Sequence, residues 1–191
     1  LSFDFVMYAG GNKQMEATFT ATPDLSKIKM VLDSVTVIFD GKQVYQSPAN
    51  ADFKRARFHV LTWPYFLTMP FKLTDPGTRW EEFSPDSLNS TYYPAQKLTF
   101  EPGTGDTPDD WYVVYKDPET NRLHAAGYIV TYGKSKNEAE EEPHAIWYKK
   151  YKNFDGIPLS TEWELTTWDK NKGLGKTLSK VSIRNIQFLR K

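Results

Sequence analysis

Residues 111–132 spell out a complete β-hairpin, and that unit constrains the fold more than any other feature of the chain. Trp111-Tyr112-Val113-Val114-Tyr115 is an aromatic and β-branched run, and a second such run extends from Leu123 to Tyr132. Between them lies Asp117-Pro118-Glu119-Thr120-Asn121, where Asp-Pro followed by Asn gives the chain a mechanical reason to reverse. Val, Ile, Thr, Tyr and Trp fit a pleated, half-buried surface. The same run–turn–run unit recurs along most of the sequence, which predicts a large antiparallel sheet. The expected class is mainly β with minor α.

Phe3, Phe5 and Met7 share one face of a first strand, and Gly10-Gly11-Asn12 turns the chain before a second strand over 15–22. Ile28, Met30 and Leu32 fall on one side of the next strand, while Lys27 and Lys29 make the other side wet. Strands over 35–39 and 44–46 are joined by Asp40-Gly41-Lys42, a strong hairpin signal because Asp-Gly readily takes positive φ. Further strands are expected over 78–83, 93–101, 146–151, 157–168 and 178–189. Loops are expected at 84–91 and 103–110, with an acidic solvated loop at 134–142. In the last strand the apolar positions change parity, from Val181 and Ile183 to Ile186 and Phe188, which predicts a bulge near Asn185.

Residues 51–69 break this texture. Phe53, Arg57, Val60 and Leu61 have helical spacing, and Pro64, lacking an N–H, should end or kink the helix. The segment reads as a broken helix, apolar on more than one side, that serves as a lid or plug for the sheet. With 191 residues, 39% of them hydrophobic, the chain can build one substantial core, so a single domain over 1–191 is expected. Lys+Arg and Asp+Glu are both 24, so there is no net field to recruit nucleic acid. No run reaches the roughly 18 apolar residues of a transmembrane helix. There is no cysteine, which excludes disulfides, thiol nucleophiles and Cys-based zinc sites. Leu1-Ser2-Phe3-Asp4-Phe5 begins in strand alternation without a signal-peptide pattern. We therefore expect a mature fragment whose targeting segment is absent and whose N-terminal strand or strands are truncated.

Candidate chemistry is sparse. Asp106, Asp109 and Asp110 cluster in the 103–110 loop, but their spacing matches no calcium loop, and Asp and Gly also simply form turns. His59 falls in the expected helix and reads as a packing or capping residue. His124 and His144 stand beside turns and read as solvated. No Gly-x-Ser-x-Gly elbow accompanies any of them. Glu162 and Glu164 alternate with Trp163, as on a half-exposed strand. Gly173-Leu174-Gly175-Lys176-Thr177 lacks the first glycine of a phosphate loop, since position 170 is Lys170. No catalytic residue, metal ligand or cofactor is assigned. The aromatics remain: Trp63, Tyr65, Phe66, Met69 and Phe71 crowd the broken helix, and such a cluster suits either a core or a cavity for an apolar ligand.

Several segments resemble an uncharacterised family of secreted or lipid-anchored proteins from Gram-negative envelopes. They are Phe39-Asp40-Gly41-Lys42 with Ser47-Pro48, Tyr65-Phe66-Leu67-Thr68-Met69-Pro70-Phe71 with Asp75-Pro76-Gly77, the 103–120 stretch, and Gly156-Ile157-Pro158-Leu159. The turn-rich sheet with one broken helix is also similar to the fold of the lipoprotein carriers LolA and LolB. The resemblance implies an antiparallel half-barrel, or curved sheet, under the 51–69 helix, in a periplasmic or outer-membrane-anchored protein. The expected function is non-enzymatic: a lipid, acyl chain or other apolar small molecule held in the half-barrel, with Trp63, Phe66, Met69 and Phe71 lining its site. A protein–protein interaction module with an envelope partner is the alternative, and a glycan or cell-wall hydrolase the third reading.

Overall fold

The computed structural model describes residues 1–189, and the expected mainly β class holds: 51% of the chain is strand and 12% helical. The elements are β1 (Ser2–Ala9), β2 (Asn12–Ala21), β3 (Ile28–Leu32), β4 (Val35–Phe39), β5 (Val44–Ser47), α1 (Ala56–Lys72), β6 (Thr78–Glu82), β7 (Ser87–Leu88) and β8 (Thr91–Tyr92). They continue with β9 (Ala95–Phe100), β10 (Tyr112–Lys116), β11 (Leu123–Tyr128), α2 (Lys136–Glu140), β12 (His144–Phe154), β13 (Ile157–Asp169) and β14 (Gly173–Gln187). Twelve strands form one sheet in the order β5-β4-β3-β2-β1-β14-β13-β12-β11-β10-β9-β6, and β7 pairs with β8 apart from it. The large sheet does not close, because β5 and β6 are its edges. The chain divides into two compact units. One holds Leu1–Met69, Lys150–Glu162 and the residues from Lys180 on; the other holds Pro70–Lys149 and Trp163–Ser179.

In the first unit, strict alternation turns one face of the strands into a dry surface. Phe3 pairs with Phe19, Phe5 with Ala17 and Phe19 with Met30, and all are at most 3% exposed. Large rings beside Ala17 and Ala21 let the face interlock. The β4–β5 turn is built as its sequence predicts: Gly41 has φ +104°, and Asp40 Oδ1 accepts from the amides of Lys42 and Gln43 at 2.9 and 2.7 Å. The expected bulge in β14 is present. Pairing with β1 shifts between Ser2 and Asp4, Asn185 takes φ +51°, and its Nδ2 donates to Asp4 Oδ2 at 2.7 Å. That extra residue lets Val181, Ile183 and Ile186 all be buried.

The helix differs in detail from its sequence reading. It starts at Ala56, after Arg55 in the left-handed region, and runs as one α-helix through Pro64 and Pro70 to Lys72. Pro64 and Pro70, lacking an N–H, each remove one intrahelical bond; separately, Thr68 Oγ1 donates to the Pro64 carbonyl at 2.8 Å. Val60, Trp63, Phe66, Leu67 and Met69 are buried, and that burial outweighs the loss.

In the second unit, the β10–β11 hairpin matches the sequence reading. Asp117 Oδ1 accepts from the Glu119 amide, the Thr120 amide and the Thr120 hydroxyl, and Asn121 sits at φ +57°. Two sequence-expected loops carry structure instead. Residues 84–91 enclose β7 and the turn of the β7–β8 hairpin, in which Asn89 and Ser90 both take positive φ, the backbone of a tight type I′ turn. Within 134–142, Ser135 and Glu138 form a capping box that starts α2. The dry core of this unit gathers Leu88, Ala95, Val113, Tyr115, Ala125, Ala145 and Trp168. Gly127 is required there, since a Cβ would stand 2.7 Å from the Trp168 ring.

Candidate functional site

Three of the four apolar residues singled out from sequence come together on α1. Trp63 is 5% exposed and stacks on Phe5 with ring centroids 4.7 Å apart; Phe66 meets Trp63 edge to face at 6.3 Å; Met69 is fully buried. Phe5 in turn meets Phe19 at 6.1 Å, and Phe3 stacks on Phe19 at 5.1 Å. The result is a helix-covered aromatic face that, among the described residues, buries no charged side chain. Phe71, in the second unit, is 52% exposed.

His59 borders this face as the sequence reading placed it, in a packing role. Its Nδ1 accepts from the Trp63 indole N–H at 3.2 Å, and its ring lies near Phe53, Phe58 and Trp63. Burial, helped by the nearby Arg55 charge, lowers its pKa from 6.5 to about 4, so the ring is neutral at pH 7.

The aspartate loop is not a cluster of open ligands. Asp110 is 9% exposed and spends its oxygens on Thr131 N–H, Thr131 Oγ1 and Thr107 Oγ1, each at 2.7 Å. Burial pushes this carboxyl above the usual range, against the pull of those three bonds. Among the described residues, no group of three or more His, Cys, Asp or Glu side chains could hold a metal ion.

The second unit contains a cleft that sequence reasoning did not assemble. Leu88, Asn89, Thr91, Tyr93, His124, Trp147, Glu164, Thr166, Leu174, Gly175 and Thr177 enclose about 230 Å³. Asn89, at the β7–β8 turn, accepts from the Leu174 amide at 2.7 Å and donates to its carbonyl at 3.2 Å, fixing the hairpin as one wall. Gly173 permits this approach, because a Cβ would lie 2.4 Å from Asn89 Oδ1.

The expectation that His124 is solvated fails here. Tyr115 pairs with Ala125 but Lys116 pairs with Leu123, so His124 is the extra residue of a bulge and leaves the alternation. Its ring stacks on Tyr93 at 3.9 Å and lies 6.2 Å from Trp147, and desolvation lowers its pKa. His144 is also half-buried rather than solvated, and burial lowers it likewise.

Glu164 is likewise not on an open wet face. It accepts from Lys149 Nζ at 2.8 Å and Thr177 Oγ1 at 3.1 Å, with a side chain only 17% exposed. The Lys149 ammonium also lies 4.1 Å from the Trp147 ring centroid. The sequence signal was there in part: Trp147 and Lys149, and Glu164 and Thr166, stand two apart on their strands and share faces. The hairpin wall and the His124 bulge are set by turn geometry that a periodicity of two does not carry.

No helix among the described residues is long and apolar enough to cross a membrane. No family model matches the chain, and no curated protein does. The fold itself has solved counterparts. A LolA superfamily protein from Nitrosomonas europaea aligns over 99% of this chain and 86% of its own, with a TM-score of 0.50 at 10% identity. A DUF1329 family protein from Desulfovibrio piger aligns over 96% of this chain and 83% of its own, with a TM-score of 0.51 at 11% identity. At such identities the likeness is one of fold: the chain has a LolA-like fold.

Proposed function

We propose that this is a non-enzymatic protein of the bacterial envelope, periplasmic or anchored at the outer membrane, that binds a lipid, acyl chain or other apolar molecule. The observation that carries the reading is the helix-covered aromatic face of the first unit, on a fold shared with a LolA superfamily protein. An acyl chain would enter between α1 and the β1–β2 face, exchanging contacts with Trp63, Phe66 and Met69 for contacts with itself. Each Å² of apolar ligand surface removed from water is worth about 25 cal/mol before the costs of association and of parting α1 from Phe5.

Titration with parinaric acid, a fluorescent fatty acid, tests this. Its emission should rise on binding, with energy transfer from tryptophan, and Trp63→Phe should lower that transfer while the protein remains folded. Binding with undiminished transfer in Trp63→Phe would place the ligand elsewhere.

A second reading has its own observation. Ile38 and Tyr45 face each other across the β4–β5 pair and are 44% and 55% exposed, beside the free edge of β5. An apolar pair at a sheet edge suits strand-by-strand docking of a partner protein. A protein that binds no apolar probe but is captured through that edge would favour this interaction module.

A further inference from the structure

We infer that the cleft of the second unit is a binding site for a neutral sugar ring, separate from the apolar face under α1. The lining argues for the ligand class by what it combines. Tyr93 and Trp147 supply aromatic surface, while Asn89, Thr91, Thr177 and Glu164 supply hydrogen-bonding groups around it. A pyranose has the matching division: its C–H faces pack on rings with negative π-faces, and its hydroxyl edge donates and accepts.

Charge narrows the class further. Glu164 is the acidic residue of the lining, and Lys149 compensates it at 2.8 Å, so no net charge is left to hold an ion. The neutral His124 ring, stacked on Tyr93, adds none. The ion pair also holds Glu164 in place as an acceptor for a ligand hydroxyl, in a bond of the charge-assisted kind.

Thr166 gives an independent sign of an unfilled requirement. It borders the cleft at 2% exposure, and its hydroxyl has no hydrogen-bond partner among the described residues. A buried hydroxyl left unpaired is costly, and a ligand or water oxygen reaching it would remove that cost. Size sets the scale of the ligand. At about 230 Å³ the cleft lies below the roughly 300–1,000 Å³ of sites for drug-sized molecules, so it takes one ring at a time. Affinity for a single ring is then weak, on the order of millimolar.

The test is ligand-observed saturation-transfer NMR on the whole protein with methyl glycosides of glucose, galactose, mannose and N-acetylglucosamine. The expected result is transfer to the ring C–H protons of at least one glycoside, abolished in Trp147→Ala. Thr177→Val, at an exposed position that donates to Glu164, should weaken the same signal about three- to tenfold without unfolding the protein. That second variant decides the matter by itself if Trp147→Ala does not fold. Three results overturn the site: no transfer from any of the four glycosides, transfer that survives both substitutions unchanged, or competition of the sugar signal by parinaric acid.

Discussion

The two units build their candidate surfaces from the same strand vocabulary but finish them in opposite ways. In the first, the alternating face of β1 to β4 presents Phe3, Phe5 and Phe19, and α1 covers it with Trp63, so ring meets ring at 4.7–6.1 Å. In the second, a bulge and a two-stranded hairpin bring Tyr93, His124 and Trp147 together around open space, with Lys149 and Glu164 paired at their side. The first surface gains its free energy by excluding water. The second leaves polar side chains lining a cavity, among them Asn89, Thr91, Thr177 and Glu164. Closure of an apolar face and framing of a polar cleft are thus separate outcomes of one β architecture, decided by what lies over the strands.

Substitutions can break or sharpen this contrast, and the largest effect is expected at the helix-covered face. Trp63→Ala should destabilise the protein by about 3–5 kcal/mol in urea unfolding, the range for deleting a buried ring. Gly127→Ala should cost about 1–3 kcal/mol, because the new methyl meets the Trp168 ring at 2.7 Å and the dry core of the second unit must shift.

The ion pairs separate the units more finely. Lys149 and Glu164 are 33% and 17% exposed, whereas Lys150 and Glu162 are 67% and 42% exposed. Lys149→Ala should therefore cost about 1–2 kcal/mol, by leaving a half-desolvated carboxylate, and Lys150→Ala below about 0.5 kcal/mol. Equal costs would remove the electrostatic distinction between the cleft and the solvated surface.

The last prediction is a change of pH profile. His59 titrates at about 4 when folded and near 6.5 when unfolded. The unfolded chain therefore takes up the proton first, and stability falls as pH drops from about 6.5 to about 4. His124 and His144 are lowered too and push the same way, while Asp110, raised by burial, loses stability as pH rises above 3.8. The difference between wild type and His59→Gln isolates the first contribution, and NMR titration of the His59 ring should give a midpoint of about 4. A midpoint near 6.5 would mean that the ring beside Trp63 is wet.

Much of the architecture was legible because it follows from periodicity two and turn chemistry. Asp40-Gly41, the Asp117–Asn121 turn and the parity change at Asn185 each have a local physical cause, and each stands where the sequence puts it. The apolar helix was legible as a segment, but its ends were not. Arg55 in the left-handed region and the buried stripe through Pro64 and Pro70 are tertiary outcomes. The capping box Ser135-x-x-Glu138 is a local signal that the acidic composition of 134–142 masks.

The cleft was not legible as a site. Its residues come from five separated stretches of chain, and it depends on a bulge that rotates His124 and a type I′ hairpin pinned by Asn89. Nothing local in Glu164 told a solvated carboxylate from one held by Lys149 and Thr177.

The central claim, an apolar guest at the helix-covered face, is tested most directly by native mass spectrometry of gently purified protein, followed by organic extraction. The account predicts a co-purified mass that leaves on extraction and is identified as a lipid or other apolar molecule. A clean mass of the bare chain, together with no binding of a hydrophobic fluorescent probe, would contradict it.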